Sequence, residues 1–186
     1  MQLNTATNLT LFRIALIPVL IVVFYLPYGW SNWAATVVFV LAALTDWADG
    51  YVARKYNQSS RFGAFLDPVA DKLMVATTLV LVIQHRPSPW LVIPAAIIIG
   101  REITISALRE WMAQIGEQAT VQVASLGKIK TTFQMIALSM LLFRENIGPL
   151  PIFDLGHLCL FVAAGLTMWS MVTYLRAAWP VMRSES

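Results

Sequence analysis

The sequence predicts an all-α integral membrane protein, with six transmembrane helices in one bundle and both termini cytoplasmic. Three observations predict this class. Hydrophobic residues make up 58% of the chain and charged residues only 12%, about half the charged share of a soluble domain. Six apolar stretches are long enough to cross a hydrocarbon core, which takes about 20 residues of helix. The lysines and arginines between those stretches fall mostly on one side of the expected membrane. Backbone facing lipid must satisfy its own hydrogen bonds, so the spans are expected as helices. At 186 residues with short loops, the chain reads as a single transmembrane domain over residues 1–186.

The expected spans cover residues 11–28, 33–54, 62–84, 90–110, 126–143 and 155–177. The first runs from "LFRIALIPV" to the breaker "LPYGWSN", and the second through "WAATVVFVLAAL" to "NQSSR". The third opens on "FGAFLDPVADK" and stops at "HRPSP"; the fourth ends before "AQIGEQATVQ". The fifth closes at "ENIGPLP", and the sixth carries "LCLFVAAGL". Glycine, proline and polar clusters of this kind punctuate helices.

Six spans put both termini on one side. That side collects Arg13, Arg54, Lys55, Arg61, Arg109, Lys128, Lys130, Arg176 and Arg183, against Arg86 and Arg144 on the other. Positive charge stays inside, so both ends of the multi-pass chain are expected in the cytoplasm. Trp30, Trp33, Trp90, Trp111 and Trp179 fall near span ends, where an indole anchors at the headgroups. No small-residue cleavage site follows the first apolar run, so that run is expected to stay in the mature protein.

The lone Cys159 excludes an internal disulfide framework and a multi-thiolate metal site, and reads as a small core hydrophobe. The net charge of +3 is spread over several loops rather than gathered in a stripe, which argues against a nucleic-acid partner.

The chemistry concentrates between Thr45 and Lys72, where Asp46, Asp49, Asp67 and Asp71 stand among apolar flanks. A carboxylate at the centre of a bilayer costs roughly 2.5–3.5 kcal/mol, and membrane helices seldom carry acids without a use for them. Asp46, Asp49, Gly50 and Ala53 share one helical face at i, i+3, i+4 and i+7; Asp67 and Asp71 share another at i and i+4. Two such faces opposed would gather four carboxylates, and like charges that close need cations. All-oxygen ligands suit Mg²⁺ or Mn²⁺, and with no nearby His or Cys zinc is disfavoured. Gly50 and Ala53 would let a ligand approach the helix, and Arg54 could hold a phosphate bidentately. Asp67 before Pro68 also reads as an N-cap followed by proline at the first helical position.

These residues carry a resemblance. Asp46-x2-Asp49-Gly50-x2-Ala53-Arg54-x8-Gly63-x3-Asp67-x3-Asp71 resembles, position for position, the signature of the CDP-alcohol phosphatidyltransferases. "TLFRI", "RFGAFLDPVADK", "REITISALREW" and "GKIKTTFQM" look like the bacterial members whose acceptor is glycerol 3-phosphate. Members often open with Pro-Asn-x-Leu-Thr; here Ala6, Thr7, Asn8, Leu9 and Thr10 stand in its place, with Thr10 in register and Asn8 displaced by one.

The resemblance implies two divalent cations, Mg²⁺ or Mn²⁺, on Asp46, Asp49, Asp67 and Asp71, with Asp71 also the catalytic base. It implies a CDP-diacylglycerol site shaped by Thr10, Asp49, Gly50, Ala53, Arg54 and Gly63, six transmembrane helices, and a homodimer. The implied reaction is transfer of a phosphatidyl group from CDP-diacylglycerol to glycerol 3-phosphate. A metal-bound carboxylate is a weaker base, so Asp71 can serve as one only if its coordination is partial or mobile.

The acceptor's phosphate needs its own cations, and Arg101, Arg109, Lys128 and Lys130 are the candidates. A deep arginine such as Arg101 is costly. Pairing it with Glu102 or Glu110 is the competing reading, but adjacency and a nine-residue offset make both poor helical pairs. Lys128 and Lys130 are roughly 200° apart around a helix, so only one of them is expected to face the site. Other acceptor alcohols (inositol phosphate, serine, phosphatidylglycerol) would keep the family. An ion transporter is the reading from another class, but its acids would be expected near the midplane with broken helices. A di-iron bundle would want Glu-x-x-His, which neither His85 nor His157 provides.

Overall fold

The computed structural model describes residues 5–56, 61–116 and 124–184. They form six α-helices: α1 Thr5–Tyr25, α2 Ser31–Tyr56, α3 Arg61–His85, α4 Pro89–Gln114, α5 Ala124–Phe143 and α6 Ile152–Ser184. Each expected span has its helix, and no strand occurs among the described residues. Among the described residues, three stretches are long and apolar enough to cross a membrane by length and composition: Thr7–Tyr25, Pro89–Gln114 and Ile152–Pro180. Shorter apolar helical stretches cover Ser31–Asp46 and Ile129–Phe143.

Helix ends follow local chemistry. α1 stops at Tyr25 rather than residue 28, because Leu26 precedes Pro27 and is pushed out of the helical region. Ser88 caps α4, its Oγ accepting from the Trp90 amide at 3.3 Å, with Pro89 as the first helical residue. Gly116 past the end of α4 has φ 76°, the left-handed conformation that glycine adopts cheaply. α6 continues through Pro180 to Ser184, past the expected 177.

The N-cap reading of Asp67 is corrected. α3 begins at Arg61 and carries Pro68 in its interior, so Asp67 lies inside the helix with no free helix start to cap.

The chain divides into two compact units, Met1–Arg86 with Leu138–Gly156, and Pro87–Ala137 with His157–Ser186. In the first, α1 packs against both α2 and α3. Leu16, Leu20 and Phe24 of α1 are buried, as are Ala35, Phe39 and Ala42 of α2 and Ala70 and Met74 of α3. The alanines allow close helix approach. Three threonine hydroxyls in this unit are satisfied within their own helices: Thr36 donates to Asn32 O at 2.9 Å, Thr45 to Ala42 O at 2.7 Å and Thr78 to Met74 O at 2.8 Å. The second unit buries Leu91, Ala95, Ile98, Ile105 and Met112 of α4 with Leu160, Ala163, Thr167, Tyr174 and Ala178 of α6.

Many large apolar side chains face outward, among them Val22, Phe65, Ile103, Leu158 and Trp169, each more than 60% exposed. Trp30, Trp33, Trp90 and Trp179 are exposed as well.

Candidate metal and substrate site

The packing of α1 against α2 and α3 builds the first site. Asp46 comes from α2, and Asp67 and Asp71 come one helical turn apart from α3. One carboxylate oxygen of each lies within 4.8 Å of the others. The three carboxylates are a little under half exposed, whereas Arg13, reaching them from α1, is 1% exposed. Arg13 Nη1 lies 3.0 Å from Asp46 Oδ1 and 3.1 Å from Asp67 Oδ1, and it also pairs with Asp71 Oδ1. Charge-assisted bonds of this kind are about twice as strong as neutral ones. Three carboxylates face one guanidinium, so acidic groups outnumber the resident cation and the cluster attracts further cations.

The geometry fits a divalent ion. Three hard oxygen donors converge within ligand spacing, and no histidine nitrogen or cysteine sulfur joins them among the described residues. The set suits Mg²⁺ or Mn²⁺ and would hold either through Asp46, Asp67 and Asp71. Gly63 lies one turn before Asp67 on the same face of α3. Thr10 is buried on the same face of α1 as Arg13, one turn earlier, with Thr7 a further turn back. The side chains of Asp49, Gly50, Ala53 and Arg54 lie outside the described residues, as does that of Lys128.

The sequence alone marks Arg13 only as a positive-inside charge and misses its place beneath the aspartates. The available signal is its spacing: Thr7, Thr10 and Arg13 recur every three residues along a face that continues through Leu16, Leu20 and Phe24.

The second unit gathers three of the expected acceptor cations. Arg101 Nη1 donates to Glu102 Oε1 at 2.6 Å, and Lys130 Nζ reaches the same oxygen at 3.1 Å. The expectation that adjacency would keep Arg101 and Glu102 apart is therefore corrected. Neighbouring side chains leave a helix in different directions, but both are long, and burial of Lys130 (3% exposed) and Arg101 removes the water that would compete. Arg109 is exposed and sets its guanidinium 5.5 Å from the centre of the Tyr174 ring, a cation–π contact. Two cations on one carboxylate leave positive charge in surplus.

A sequence model of the CDP-alcohol phosphatidyltransferase family matches residues 3–176. This chain belongs to the CDP-alcohol phosphatidyltransferase family. Relatives from Salmonella choleraesuis (strain SC-B67) and Escherichia coli (strain K12), both named CDP-diacylglycerol--glycerol-3-phosphate 3-phosphatidyltransferase, are 56% and 57% identical over 178 residues, 96% of this chain and 96% of each relative. One from Shigella flexneri serotype 5b (strain 8401), with the same name, is 57% identical over the same share. In this CDP-alcohol phosphatidyltransferase three of the four acids of the signature have described side chains. Asp46, Asp67 and Asp71 are brought together, and the side chain of Asp49 lies outside the described residues.

Proposed function

We propose that the chain transfers the phosphatidyl group of CDP-diacylglycerol to glycerol 3-phosphate, yielding phosphatidylglycerophosphate and CMP, in anionic phospholipid biosynthesis. The observation that carries this reading is the convergence of Asp46, Asp67 and Asp71, three signature positions drawn from two helices, on one point. The names and near full-length coverage of the relatives support the choice of substrates.

In this reading six helices span the bacterial inner membrane, the aspartates open to the cytoplasm, and the enzyme works as a homodimer. The outward-facing apolar side chains support a lipid environment. One functional domain over residues 1–186 fits a family match that runs across both compact units.

The primary hydroxyl oxygen of glycerol 3-phosphate attacks the β-phosphorus, and the bond from that phosphorus to the oxygen bridging to CMP breaks. When bound, two divalent cations would supply the positive charge that neutralises the diphosphate and the departing CMP. Asp46, Asp49, Asp67 and Asp71 would hold those cations. Asp71 accepts the proton of the attacking hydroxyl. Thr10, Gly50, Ala53, Arg54 and Gly63 shape the CDP-diacylglycerol site, and Arg101, Arg109, Lys128 and Lys130 supply the acceptor's phosphate with cations. Little covalent chemistry falls to the protein, so positioning and charge dominate, as in other phosphoryl transfers.

The test is CMP release by purified protein in detergent with Mg²⁺ and both substrates. Asp71→Asn should abolish turnover while CDP-diacylglycerol still binds. Appreciable turnover by that variant would remove Asp71 from the role of base.

A further inference from the structure

We infer that Arg13 is a resident counter-cation of the aspartate cluster: it holds Asp46, Asp67 and Asp71 together while no divalent ion is bound and gives up those contacts when one enters. The inference rests on reading the three carboxylates as divalent-cation ligands. Arg13 is then a positioning residue that sets metal affinity.

A single nitrogen, Nη1, reaches one oxygen of each of three carboxylates. Those carboxylates are the ones whose oxygens lie within metal-ligand spacing of one another. A lone pair directed at the guanidinium is not available to an ion, so the two cations compete for the same donors. Without either cation, three like charges within 4.8 Å would repel, splay or take up protons. Arginine suits such a post because it keeps its proton, so its charge stays beside the carboxylates. Burial puts it on the protein side of the cluster: Arg13 is among the most deeply buried large side chains of the chain, reaching the aspartates from α1 while they remain open to solvent.

Linkage fixes the sign of the effect. A contact that stabilises only the ion-free protein weakens ion binding by the same factor. Removing Arg13 should therefore lower the stability of the ion-free protein and tighten ion binding together. An arginine that merely supports the fold would do the opposite to binding, because a loosened site holds an ion less well.

The experiment uses full-length protein in detergent micelles, with Mn²⁺ binding followed by electron paramagnetic resonance and unfolding followed by Tm, in EDTA and at saturating Mn²⁺. Arg13→Gln should bind Mn²⁺ about tenfold more tightly, a coupling of ordinary size between sites. Its Tm deficit in EDTA should largely vanish with Mn²⁺. Arg13→Lys, which keeps the charge on a less versatile donor, should shift both readouts in the same direction by less, and it serves if Arg13→Gln cannot be purified. Unchanged or weaker Mn²⁺ binding in these variants, with the wild type binding normally, would overturn the role of Arg13. Failure of the wild type to bind Mn²⁺ would instead overturn the metal reading itself.

Discussion

Lys130 Nζ lies 3.1 Å from Glu102 Oε1, the same oxygen that accepts Arg101 Nη1 at 2.6 Å. The carboxylate thus orders two cations from two helices. If those cations serve the acceptor's phosphate, Glu102→Gln should raise the KM for glycerol 3-phosphate about tenfold, equivalent to about 1.4 kcal/mol, with a smaller change in kcat. Breaking a buried pair by removing one partner costs roughly 3–5 kcal/mol, and partial exposure of Glu102 (26%) should bring the loss of stability nearer about 2 kcal/mol. Initial rates against glycerol 3-phosphate and detergent-phase Tm check both. A fall in Tm with KM unchanged would make the network purely structural.

Close helix approach at Gly156 is testable against an internal control. A Cβ there would meet Leu141 Cγ and Met140 Cβ at 3.0 Å, whereas one at Gly165 would meet nothing within 4 Å. Gly156→Ala should therefore destabilise by about 1–3 kcal/mol through overpacking. Gly165→Ala, in an open stretch of the same helix, should be neutral or stabilise by up to about 1 kcal/mol. Thermal unfolding of the two variants side by side reads the difference.

Arg144 closes the loop after α5 in a left-handed conformation, φ 62°. Its guanidinium sits 3.6 Å from the centre of the Phe24 ring and Nη2 donates to the Phe24 carbonyl at 3.2 Å. Arg144→Ala loses both contacts and keeps the strain; Arg144→Gly loses the contacts and relieves it. The glycine variant should therefore be the more stable of the two by about 1 kcal/mol, as measured by chemical denaturation. Equal stabilities would mean that the backbone there is unstrained.

His85 lies beside the same loop, its ring 6.1 Å from that of Phe24. Burial first, then the charges of Arg144 and Arg86, hold its pKa below the ordinary 6.5. Between the folded value and 6.5 the unfolded chain binds more protons, so the neutral imidazole's contribution is full above pH 6.5 and is lost as pH falls below it. His85→Gln should lose less Tm than the wild type between pH 7 and pH 5. The effect should be small, since the ring is largely exposed.

The helices were legible because each is an apolar run closed by breakers, and Pro27 and Ser88-Pro89 mark ends that follow from backbone sterics and capping alone. The aspartates were legible because acids at helical spacing are rare among apolar residues. Arg13 was not, because its partner Asp67 is 54 residues away and only the docking of α1 against α3 brings them together. Arg101 and Glu102 failed for a related reason: helical spacing rules score isolated helices, and here a third side chain, Lys130, 28 residues on, gathers the pair. Asp67 misled because Asp-Pro is the same dipeptide at a helix start and inside a proline-containing helix, and only the upstream turns from Arg61 distinguish them.

The most direct measurement is the identity of the lipid product when purified protein, CDP-diacylglycerol and Mg²⁺ are offered glycerol 3-phosphate, inositol phosphate, serine and phosphatidylglycerol in parallel. The account predicts CMP release and phosphatidylglycerophosphate with glycerol 3-phosphate alone. CMP release with another of these alcohols and none with glycerol 3-phosphate would contradict the assigned acceptor, and release with no alcohol would contradict the enzyme.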